Sequence, residues 1–199
     1  MQSGTDSNRG LGTLNDYSVV ECSRAIAPSE TSPEFYNAAD YFVDRNVREG
    51  RGDKTAVICE DRQFSYSQIQ QGMNRFGNLL KELDVRLEER VALLLLDTEV
   101  FPQAFFGAIK LGAVPVCLNT LMRPKDYQYF LNDSRARVLV VDEALKANID
   151  AIEGELPFLQ YVVVANKIEP VAKSAEADST AVSDVLLTGA TIKRTSSAI

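Results

Sequence analysis

The clearest regularity along the chain is a set of continuous apolar runs: Val91 to Leu96, Val114 to Leu118, Val138 to Val141 and Tyr161 to Val164. Their starts, at 91, 114, 138 and 161, are nearly evenly spaced. A strand with one wet face alternates apolar and polar residues, whereas an uninterrupted apolar strand is covered on both faces. Between these runs the sequence turns helical. Glu99 to Leu111 is stopped by Gly112; Pro124 opens a second segment, to about Asp133, at the first-turn position proline tolerates; Glu143 to about Gly154 is a third. Covered strands alternating with amphipathic helices predict right-handed βαβ crossovers, a parallel sheet with helices on its faces, and hence the α/β class. The rhythm is one of supersecondary units, because the side chains themselves do not recur.

Upstream, the pattern predicts smaller pieces. Asn37 followed by Asp40 reads as a helix cap with an acid in the first turn, and Ala39, Phe42, Val43 and Val47 would share one side of that helix before Gly50 ends it. Thr55 to Cys59 and Gln63 to Tyr66 flank Glu60, Asp61 and Arg62 as a short hairpin. Ser65 and Gln68 have the spacing of a capping box, and Ile69, Met73, Phe76, Leu80 and Leu83 follow as the buried stripe of a helix. Residues 1–32 lack periodicity and read as a flexible leader. The α/β domain is expected over 33–166. From 167 to 199 the chain is polar apart from Val182 to Leu187, as in a linker or tail.

Composition narrows the partners. The net charge is −7, with no cluster of Lys or Arg, which argues against nucleic acid or an anionic membrane surface as a partner. No apolar run approaches the roughly 20 residues of a membrane span, and the N-terminus has the features of neither a secretory nor a transit signal, so a cytoplasmic location is expected. Cys22, Cys59 and Cys117 are odd in number and widely spaced, as suits reduced thiols; Cys59 and Cys117 fall in predicted buried strands, where packing is their expected role. Histidine is absent, which excludes Ser-His and Cys-His nucleophilic machinery and His-based metal sites within this chain.

A parallel sheet often holds a nucleotide, yet neither glycine-rich phosphate signature is present, and Thr188-Gly189 and Thr195 to Ser197 are too poor in glycine to cradle a phosphate. Polar residues do fall at carboxyl ends of predicted strands, where a ligand crevice forms: Asp97 and Thr98 after one, Asn119 and Thr120 after the next. The structural alternative is that Thr98 caps the following helix and Asn119-Thr120 make a turn. Glu88-Glu89 and Asp142-Glu143 read as solvated charge, and Lys110 as a cation favouring a helix C-terminus. No residue is assigned as catalytic, cofactor-binding or metal-ligating.

Three segments taken together, Phe64 to Ile69 at a helix start, Arg90 to Asp97 as a strand and Gly107 to Val116 as helix into strand, resemble the N-terminal region of the adenylate-forming acyl-CoA and aryl-CoA synthetases. Pro33 to Asp53, Leu96 to Thr98 with Phe101-Pro102, and Leu118 to Leu121 are most similar to benzoate-CoA ligases, and the resemblance runs to about Lys167. It implies a partial N-terminal α/β domain and a two-step reaction. An aromatic carboxylate attacks the α-phosphate of ATP, with magnesium, to give an acyl adenylate; coenzyme A then displaces AMP. In that family the phosphate loop, the adenine and acid pocket, the ribose-binding aspartate and the catalytic lysine lie downstream of the matched region. The resemblance therefore implies a fragment that binds no cofactor itself and is inactive alone, with a complementing chain carrying the rest of the enzyme as a candidate partner. The alternative is a non-enzymatic regulatory or split-enzyme partner module.

Overall fold

The computed structural model describes residues 36–165 and 191–194. The chain divides into two units, Met1–Tyr36 and Asn37–Ile199, and the elements below belong to the second. The expected leader, 1–32, and most of the expected tail, 167–199, lie outside the described residues.

Local signals are followed closely at the start. Strands β1 (Thr55–Cys59) and β2 (Arg62–Ser65) pair antiparallel as the predicted hairpin. The Ser65 hydroxyl accepts from the Gln68 N–H at 3.3 Å while Gln68 Oε1 accepts from the Ser65 N–H at 2.8 Å, so the capping box starts helix α1 (Tyr66–Glu82). Its stripe Ile69, Met73, Phe76, Leu80 and Leu83 is buried. The helical segment before β1 departs from the expected pattern. Asn37 Oδ1 does accept from the Ala39 N–H, and Gly50 does turn left-handed at φ 78°, but the turns at Asp40–Asp44 and Val47–Arg51 widen to the π form. The wider turn brings Ala39 and Val43 into line in the core and swings Phe42 out to 54% exposure.

The remaining strands are β3 (Arg90–Leu94), β4 (Val114–Cys117), β5 (Val138–Asp142), β6 (Tyr161–Ala165) and β7 (Thr191–Arg194). They form one five-stranded sheet in the order β4-β3-β5-β6-β7. The first four are parallel, as the apolar runs predict, and β7 returns antiparallel along β6, pairing Thr191 with Val164. Helices α2 (Val100–Leu111) and α3 (Pro124–Ser134) stop at left-handed Gly112 and Arg135. The third predicted helix is broken into a 3-10 turn at Glu143–Leu145, a short α4 (Lys146–Asp150) and a 3-10 turn at Glu153–Glu155. Asp142 Oδ1 takes the Ala144 N–H, competing with helix hydrogen bonds, and the short turns seat Ile149, Ile152 and Leu156 in the core one after another.

Two cores sandwich the sheet. Val91, Leu93, Leu95, Val138, Val140 and Val163 pack with residues of α1 and α2. Their alternates Ala92, Leu94, Leu139, Val141, Val162 and Val164 pack with Tyr127 and Leu131 of α3 and Ile149 of α4. Each such fully buried aliphatic side chain contributes about 1.5–3 kcal/mol. Double coverage fails at β4, the sheet edge, where Val114 is 43% exposed and Cys117, expected to be packed, is exposed. Its apolar run is the same as in the inner strands, but an edge position leaves part of it uncovered. Within the expected tail, β7 is a strand that sequence patterning did not anticipate. No helix among the described residues is long and apolar enough to cross a membrane.

Helices α1 and α2 approach closely at Gly107, where a Cβ would stand 2.8 Å from the Met73 carbonyl oxygen and 2.9 Å from Phe76 Cδ1. Gly107→Ala should therefore cost about 1–3 kcal/mol from overpacking, more than the roughly 1 kcal/mol alanine gains over glycine in a helix. Thermal unfolding should show a midpoint lowered by about 2–4 °C per kcal/mol. Gly154→Ala, which meets nothing within 4 Å, should leave the midpoint unchanged.

Candidate functional site

The strand order fixes where a crevice opens. From β3 the chain crosses through α2 on one face to reach β4, while from β5 it crosses through α4 on the other face to reach β6. β3 and β5 are neighbours whose continuations part to opposite faces, and such a switch point leaves a crevice at the strands' carboxyl ends. Asp97 and Thr98 leave β3 at that point, and Asn119 and Thr120 leave the adjacent β4. The structure thus brings all four predicted residues to the carboxyl edge of neighbouring strands. Asp97 and Asn119 are exposed; Thr98 and Thr120 are half-buried.

Each loop is held by a different clamp. After β4, Asn119 Oδ1 accepts from the Leu121 N–H at 2.9 Å, the turn expected of it, and its carbonyl accepts from the hydroxyl of fully buried Tyr127 at 2.9 Å. After β3, Thr98 does not cap α2 as expected: the N-cap position is Glu99, without a side-chain cap, and Thr98 instead donates its N–H to the Leu96 carbonyl and accepts from the Phe101 N–H. The hairpin supplies the clamp here. Arg62 donates to Glu99 Oε1 at 2.9 Å and Oε2 at 3.1 Å, and the Cys59 thiol donates to the Asp97 carbonyl at 3.7 Å. Glu99 is buried, with 4% of its side chain exposed against 29% for Arg62. Burial works against the charge on Arg62, but the Glu99 carboxylate prevails and raises the guanidinium above its ordinary value. Sequence reasoning missed this pair, which lies on two separate elements. The available signal was an acid opening a helix whose other side chains, Gln103 and Lys110 aside, are apolar.

Part of the hydrogen-bonding capacity of these loops is already committed. The N–H groups of Thr98, Phe101 and Leu121 are already spent on the chain itself, and Asp97 adds negative charge. No chemical step through ATP or coenzyme A is derived from these four residues. Among the described residues, no three Cys, Asp or Glu side chains gather as a metal site. Of the other charged groups, Glu89 is tied to Arg137 at 3.3 Å and to the Arg86 N–H, and Lys110 to Asp44 and Asn74, so both are structural ties rather than freely solvated charge.

Comparison with known proteins places this geometry. The family described as AMP-binding enzyme matches residues 43–196, running past the point near Lys167 where the motif resemblance ended. The chain is 44% identical over 128 residues to a 4-hydroxybenzoate–CoA/benzoate–CoA ligase of Rhodopseudomonas palustris, covering 64% of this chain and 24% of that protein. It is 41% identical over 139 residues to a benzoate–CoA ligase of Thauera aromatica, covering 69% and 26%. Among solved structures, a benzoate CoA ligase from Burkholderia xenovorans LB400 superposes with a TM-score of 0.62 at 35% identity, covering 73% of this chain and 31% of that one. The chain thus spans about a quarter of the length of the curated relatives it matches.

Removing one partner of the hairpin clamp should be costly. Glu99→Ala leaves Arg62 partly buried and unpaired, and should lower stability by about 1–3 kcal/mol, less than for a fully buried pair because Arg62 keeps some solvent. Urea unfolding should show a lower midpoint with an unchanged slope. The double variant Arg62→Met with Glu99→Leu should recover most of the loss.

Proposed function

We propose a role that proceeds from one premise: the chain belongs to the AMP-binding enzyme family. It is the N-terminal α/β portion of an aryl-CoA ligase, an enzyme that adenylates an aromatic carboxylate with ATP and then joins it to coenzyme A as a thioester. The observation that carries this reading is the 41–44% identity to relatives named for benzoate and 4-hydroxybenzoate. The parallel strands and their carboxyl-edge crevice agree with it.

In this reading the chain's contribution is architectural. β3 and β5 hold the crevice in place, and Asp97, Thr98, Asn119 and Thr120 line its rim as polar contacts. ATP, magnesium and coenzyme A are bound by other parts of the enzyme, which a complementing chain supplies. The working domain starts near residue 33 and takes in β7, which extends the sheet beyond β6, and the protein acts in the cytoplasm, where its thiols stay reduced.

With benzoate, ATP, magnesium and coenzyme A, the 199-residue chain alone should release no pyrophosphate above the blank and form no benzoyl thioester. Turnover by the chain alone would overturn the reading.

A further inference from the structure

Along α1, Gln70, Asn74, Asn78 and Lys81 stand at helical spacing on one stripe, which faces Lys110 of α2. At one end of the stripe the protein shows what such a set of donors holds. The nearly buried Asp44 carboxylate accepts from Gln70 Nε2 at 2.7 Å and pairs with Lys110 Nζ at 2.8 Å, and Lys110 also donates to Asn74 Oδ1 at 2.7 Å. An amide and an ammonium thus grip one carboxylate. Farther along α1, Asn78 and Lys81 present a second amide and ammonium whose side chains have no partner among the described residues.

Between the two helices lies a groove of about 320 Å³, lined by Asn78, Lys81, Lys110 and half-buried Leu111, with the fully buried Met73 beneath it. That volume is at the lower end of the range of small-molecule sites. Among the described residues no carboxylate lines it. The groove therefore combines unspent donors with the apolar surface of Leu111, beside a carboxylate already held by the same chemistry.

We propose that this groove binds a small organic carboxylate, with the carboxylate between Asn78 and Lys81 and the apolar body against Leu111. Because the chain as a whole is negative, recognition is local, and it weakens as salt screens the exposed ammonium. Charge supplies the selectivity: a neutral amide of the same shape keeps the apolar contact and loses the ionic one.

The test is a two-dimensional amide NMR titration of the full chain with benzoate and, at equal ionic strength, with benzamide. Benzoate should shift the backbone amides of Gly77, Asn78, Lys81 and Leu111 saturably, and benzamide should bind about tenfold more weakly, the loss of a charge-assisted hydrogen bond. Lys81→Gln, at an exposed position in the last turn of α1, should keep the native spectrum and weaken benzoate by a similar factor. Asn78→Ala should weaken it further. The proposal is overturned if these amides do not shift saturably, if benzamide binds as well as benzoate, if Lys81→Gln binds unchanged, or if the shifts are confined to the loops of Asp97 and Asn119.

Discussion

Burial of β3 on both faces is the constraint from which the rest of the structure follows. Val91, Leu93 and Leu95 point into the core shared with α1 and α2, and Ala92 and Leu94 into the core shared with α3 and α4. A strand with both faces dry must also satisfy its backbone groups on both edges, and β4 and β5 do so in parallel register. Covering the two faces requires crossovers on opposite sides of the sheet. Those crossovers part at the carboxyl ends of β3 and β5, so the position of the crevice is a consequence of how β3 is packed.

The crevice loops are then set by contacts that sacrifice polar groups to rigidity. Arg62 and Glu99 tie the hairpin to the start of α2, Cys59 holds the Asp97 carbonyl, and Tyr127 holds the Asn119 carbonyl. Groups committed in this way fix the shape of the loops. The chain so organised spans 24% and 26% of its named ligase relatives.

Much of the fold was legible in the sequence because the signals were local or periodic. The Ser65 capping box, Gly112 as a helix stop and the uninterrupted runs of β3, β5 and β6 each follow from neighbours a few residues apart. What was missed depends on partners far along the chain. Val114 to Cys117 has the same apolar character as the inner strands, and only its place at the edge exposes Cys117. Thr191 to Arg194 becomes a strand by pairing with β6 rather than by its own pattern. At the candidate site, the position of Asp97, Thr98, Asn119 and Thr120 at strand ends was legible, whereas the Arg62–Glu99 clamp was hidden by a separation of 37 residues. The π turns near Asp40 and the broken third helix were equally out of reach, because they are adjustments of a helix to the core beneath it.

Native-state hydrogen exchange, residue by residue, tests the dependence on β3 most directly. The amides of Val91 to Leu94 and of Leu139 to Val141 should exchange only through global unfolding, while those of Val114, Val116 and Cys117 on the edge strand exchange faster through local opening. Exchange from β3 by local opening, or protection of β4 equal to that of β3, would contradict the account.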